Sequence, residues 1–141
     1  MGNDITVAVI NSSVDTIDML KTRLNQSGFT SVVGAHVYDF RTGDADINAF
    51  LEQHDPRVLI FDIAIPYEEN WRYLQELLTS NAMAGRRVVV TTTNKNVLES
   101  MVGPTRAFEV HGKPYDIDLI VSAVERAVDA ERREADSTKQ R

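Results

Sequence analysis

Val58-Leu59-Ile60-Phe61-Asp62-Ile63-Ala64-Ile65-Pro66 is the stretch that decides how this chain is read. The run Val58–Ile63 is nearly continuous in apolar residues, as expected of a strand in a parallel sheet covered on both faces. Asp62 interrupts it near its end, where burying a carboxylate is costly unless a cation or hydrogen-bond donors meet it. Working outward, similar β-rich runs occur at Ile5–Ile10, Ser31–Tyr38 and Arg87–Thr92, with a weaker fifth at Ala107–Val110.

Helical patterns fill the intervals. Ser13 is placed to cap a helix carrying Val14, Ile17, Leu20 and Leu24, with Gly28 just past its end as the left-handed stop. Ile47, Phe50, Leu51 and His54 mark a second helix from about Asp46, ending before Asp55-Pro56. A third covers Trp71–Met83 and a short one Asn96–Met101. The last carries one apolar stripe, Ile117, Ile120, Val121, Val124 and Val128, behind Asp116 as its N-cap. Beyond Val128 the chain turns polar, so the reading is a domain over 1–129 and a charged helical extension, linker or disordered tail over 130–141. Strand and helix in five alternations predict an α/β fold, a doubly wound five-stranded parallel sheet with helices on both faces.

Composition narrows the function. The 141 residues are 43% hydrophobic and 26% charged, enough for one core, and 21 acidic residues outnumber 15 basic ones for a net charge of −6. That balance argues against direct nucleic-acid binding, which needs a dense basic surface. With no cysteine, disulfides, thiolate metal sites and thiol nucleophiles are excluded. No basic leader and no long apolar run occurs, so the expectation is a cytoplasmic protein without membrane contact.

In doubly wound sheets ligands meet the carboxyl ends of the strands. There the sequence sets Asn11-Ser12-Ser13, Asp62, Thr91-Thr92-Thr93 and Gly112-Lys113-Pro114. Lys113, positioned by the following proline, is the expected cation for Asp62.

Phe61-Asp62-Ile63-Ala64-Ile65-Pro66 is similar to the "D-x-x-M-P" of response regulator receiver domains. Thr92, thirty residues on, and Gly112-Lys113-Pro114 before the last helix complete the resemblance, which covers about 5–128. It implies a flavodoxin-like (βα)5 fold and a switch in two-component phosphorelay signalling rather than a turnover enzyme. Asp62 is then the phosphoacceptor, Lys113 contacts the acyl phosphate, and Thr92 moves to hydrogen-bond it. Implied partners are a sensor histidine kinase or phosphotransfer protein and an effector protein or domain. The surface of Asn96–Met101, the fifth strand and the last helix would be the signalling or homodimer face.

The resemblance also implies Mg²⁺, and here the chain departs from the family. The usual acidic pair after the first strand is replaced by Asn11 and Ser12. Asp62, the Ala64 carbonyl and Ser12 are left as a degraded, weak Mg²⁺ site, because this metal is normally held by carboxylates. Asp15 is better placed to serve the helix dipole than the metal. Asn70 replaces a family glycine and is expected to take a left-handed backbone. Val110 stands where an aromatic coupled to the threonine is common, beside Pro114 in the pocket wall.

These departures define the alternative, a phosphorylation-independent pseudo-receiver acting as a protein-interaction or dimerisation module. A flavodoxin-like cofactor binder is disfavoured because the loop Asn11–Thr16 has no glycine. His36, His54 and His111 lack metal-pair spacing, Trp71 is a core anchor, and Arg86-Arg87 is a solvated start to the fourth strand.

Overall fold

The computed structural model describes residues 5–102, 109–112 and 116–139. Five strands form a parallel sheet in the order β2-β1-β3-β4-β5. They are β1 (Val7–Asn11), β2 (Val32–His36), β3 (Val58–Ile63), β4 (Arg87–Thr92) and β5 (Glu109–Gly112). The helices are α1 (Val14–Gln26), α2 (Val37–Thr42), α3 (Ile47–His54), α4 (Tyr67–Leu78), α5 (Lys95–Val102) and α6 (Ile117–Lys139), with a 3-10 turn at Asn81–Met83.

Alternation along the strands divides the core in two. Val7 and Val9, Val58 and Ile60, and Val89 pack against Ile17, Leu20 and Leu24 of α1 and Ile120, Val124 and Val128 of α6. Ala8 and Ile10, Leu59, Phe61 and Ile63, and Val90 meet Leu51, Trp71, Leu74, Leu77 and Leu98 on the other side. Full burial of a side chain such as Leu74 contributes about 1.5–3 kcal/mol. Trp71 is the anchor expected, only 7% exposed.

Local chemistry sets the helix ends. Ser13 Oγ accepts from the Thr16 amide at 3.2 Å, and Asp116 Oδ1 from the Leu119 amide at 3.3 Å. Gly28, at φ 101°, ends α1 in a Schellman motif, with Phe29 N–H donating to the Leu24 carbonyl at 3.0 Å. The helix expected from about Asp46 begins at Ile47, and Asp46 caps it, its Oδ1 accepting from the Asn48 amide.

Several readings need correction. The segment after β2 turns directly into α2, its first turn capped by His36 Nδ1 on the Tyr38 amide, so the second strand is shorter than expected. The third predicted helix begins earlier, at Tyr67, and breaks at Thr79 before the 3-10 turn. Residues 103–108 lie outside the described residues, and the fifth strand is Glu109–Gly112. Arg86 is not solvated: it is almost buried, donating to the Ala82 and Pro56 carbonyls and to Asp55. Arg87 is also engaged, with Glu131 and Glu134.

That last contact explains why helix continues past the apolar stripe. After Val128, α6 runs to Lys139, and Glu131 bridges Arg57 at 2.8 Å and Arg87 at 3.4 Å at the amino ends of β3 and β4. Ionic anchorage replaces hydrophobic burial there. No helix among the described residues is long and apolar enough to cross a membrane.

Candidate functional site at the strand ends

Asp62 is 4% exposed at the carboxyl end of β3. Its Oδ1 accepts a 2.7 Å hydrogen bond from Thr91 Oγ1. The register explains why this is not Thr92: Asp62 pairs with Thr91 across β3 and β4, so their side chains share a face, and Thr92 points to the other. Thr92 Oγ1 instead donates to the Ile63 carbonyl at 2.8 Å and is fully buried. The thirty-residue spacing marks Thr92, but the sheet puts Thr91 on the carboxylate.

Asn11 ends β1 on the same face as Asp62 and is 3% exposed. Its Oδ1 accepts from the Ser13 amide at 2.9 Å, shaping the turn into α1. Ser12 lines a cavity of about 380 Å³ together with Val37, Tyr38, Arg41, Ala64, Ile65, Asn70 and Thr93. Val110 lies in β5 paired with Val90. Lys113 and Pro114 lie outside the described residues.

Asn70 has a different role from the one expected. It sits within α4 on ordinary helical backbone, the one non-glycine residue with positive φ among the described residues being Asp55. Its side chain does the work: Nδ2 donates to the Ala64 carbonyl at 2.7 Å, and Oδ1 accepts from the Arg41 guanidinium. Arg41, from the last turn of α2, also lies 3.9 Å from Glu69 and 6.0 Å from the Tyr73 ring centre. Burial pushes the Tyr73 phenol pKa up, and the nearby Arg41 charge opposes that shift. Sequence spacing carries no signal for Arg41, because its approach depends on the unforeseen helix α2.

The donor set does not fit Mg²⁺. That ion favours octahedral oxygen ligation at about 2.0–2.1 Å with carboxylates supplying charge. Among the described residues that the sequence set at the strand ends, Asn11, Ser12, Ser13, Asp62 and Thr91–Thr93, together with Ala64 and Asn70, Asp62 is the single carboxylate. The Asn11 side-chain oxygen serves a backbone amide and the Ala64 carbonyl serves Asn70. No group of three or more His, Cys, Asp or Glu that could hold a metal occurs among the described residues.

His54 lies against Phe50 with the ring centres 4.8 Å apart and the rings tilted, and on α5 Leu98 is fully buried while Val97 is 40% exposed. The side chain of His111 lies outside the described residues.

No protein-family model matches the sequence, and no curated protein matches it. Solved structures do. A two-component transcriptional regulator AraC from Clostridium phytofermentans superposes with a TM-score of 0.66 at 17% identity, over 95% of this chain and 99% of that one. The signal receiver domain of a DNA-binding response regulator (merR) from Colwellia psychrerythraea gives 0.64 at 21% identity, over 89% and 99%. Chemotaxis protein CheY4 from Vibrio cholerae gives 0.64 at 18%, over 87% and 98%. The chain has the α/β fold of response regulator receiver domains.

Proposed function

We propose that this chain is a receiver module of two-component signalling that accepts a phosphoryl group on Asp62. The observation that carries the reading is the buried Asp62 carboxylate at the end of the central strand, held by Thr91 on a receiver fold. A carboxylate oxygen attacks the phosphorus of a phosphohistidine on a sensor histidine kinase or phosphotransfer protein. The P–N bond breaks with its electron pair passing to the imidazole, and an acyl phosphate forms on Asp62. Lys113 is the cation assigned to the phosphoryl oxygens. The face of α5, β5 and α6 passes the change to an effector.

Incubation with a phosphorylated kinase or with acetyl phosphate, read by intact mass and peptide mapping, tests this. One base-labile phosphoryl adduct that disappears in Asp62→Asn is expected; no adduct from either donor overturns it. The uncharged Asn11-Ser12 pair favours a second reading, a phosphorylation-independent interaction module. Unchanged partner binding and signalling output in Asp62→Ala select that reading, and loss of output in a folded variant removes it.

A further inference from the structure

Arg41 is the one cationic side chain lining the 380 Å³ strand-end cavity among the described residues. A free arginine side chain carries about 2 kcal/mol of rotamer entropy, so its position here must be held. Three contacts do this: the hydrogen bond to Asn70 Oδ1, the approach to Glu69 and the Tyr73 ring. Asn70 is 9% exposed, and its amide has one consistent orientation, oxygen toward the guanidinium and nitrogen toward the Ala64 carbonyl. The carbonyl of the implied metal site is thus linked to a fixed positive charge through one amide. A divalent ion on that oxygen would compete with the Asn70 N–H and face the guanidinium across it, with like charges at short range in a partly buried place.

We propose that Arg41 is the resident cation of this pocket and that the chain works there without a divalent metal. The inference rests on the receiver reading of the site and assigns the charge at it to a side chain. Ser12, on the wall of the same cavity, adds no charge to it, as suits a pocket that already holds a guanidinium.

Titration calorimetry and thermal unfolding with MgCl₂ and MnCl₂, against NaCl of matched ionic strength, test the metal directly. Wild type is expected to give no saturable heat and no shift in Tm beyond the salt control. Saturable binding that is lost in Asp62→Asn overturns the proposal. The triple variant Asn11→Asp, Arg41→Ala, Asn70→Ala is expected to gain saturable binding. Should it fail to fold, Arg41→Met, which keeps most of the side-chain volume, replaces it.

Acetyl phosphate supplies a second readout. Labelling of Asp62 is expected at equal rates in EDTA and in Mg²⁺ and at least tenfold slower in folded Arg41→Met. Labelling that requires Mg²⁺, or an Arg41→Met rate equal to wild type, overturns the role of Arg41. Absence of labelling under every condition overturns the phosphoacceptor reading instead, and the metal titration then decides for or against Arg41 independently.

Discussion

Thr91 hydrogen-bonds the buried Asp62 carboxylate at 2.7 Å, while its neighbour Thr92 turns away to the Ile63 carbonyl. Two adjacent hydroxyls therefore have separable consequences. Thr91→Val strips a donor from a buried carboxylate and is expected to cost about 1–3 kcal/mol. Thr92→Val leaves two neutral backbone groups short of a partner, the Ile63 carbonyl and, at a long 3.4 Å, the Asn94 amide, and is expected to cost about 1 kcal/mol. In urea denaturation of the double-mutant cycles, Thr91 should couple to Asp62 by about 0.5–3 kcal/mol and Thr92 much less.

Glu131 spans Arg57 and Arg87 with its side chain 15% exposed. Glu131→Ala leaves two guanidinium groups without their shared partner. The expected cost is about 1–2 kcal/mol, less than the roughly 3–5 of a fully buried pair because both arginines reach solvent. Amide hydrogen exchange should quicken in α6 beyond Asp129 and stay unchanged around Ile120 and Val124.

Gly34 in β2 lies under α1. A Cβ added there would stand 2.5 Å from Ile17 Cγ2. Gly34→Ala is expected to destabilise by about 1–3 kcal/mol through overpacking. The same substitution in an Ile17→Ala background should cost much less, because the obstructing methyl is gone.

The carboxyl of Asp55 is held below its ordinary pKa, chiefly by the Arg86 hydrogen bond, which together with the Arg86 and Arg57 charges and the Arg57 hydrogen bond outweighs the opposing desolvation. A folded pKa below the unfolded one gives stability that is present above the unfolded pKa and lost as pH falls through the folded one. Asp55 is largely exposed, so Asp55→Asn is expected to cost only about 0.5 kcal/mol at neutral pH. Asparagine also tolerates the left-handed backbone at φ 45°. Urea midpoints of wild type and variant should converge once the pH is below the Asp55 pKa.

Much of the architecture was legible because it rests on short-range signals. Continuous aliphatic runs marked β1, β3 and β4, and Ser13, Gly28 and Asp116 marked helix ends through chemistry confined to one turn. Asp62 was legible because a carboxylate inside an apolar run is anomalous in any fold. What was missed depends on contacts distant in sequence. Thr91 was passed over because linear spacing does not reveal strand register. Arg41 and Asn70, 29 residues apart, meet only after α2 forms behind β2. Arg86 and Arg87 looked solvated because their partners, Asp55 and Glu131, lie in other elements.

The grip of Glu131 lies at the opposite end of the strands from Asp62, and α6 crosses the sheet between the two. A rod fastened at its far end resists sliding along the strands, since translation would tear both arginines from their carboxylate. Tilting about Glu131 would leave that fastening intact, but it meets a second ion pair near the start of the helix, where Asp118 holds Arg23 of α1.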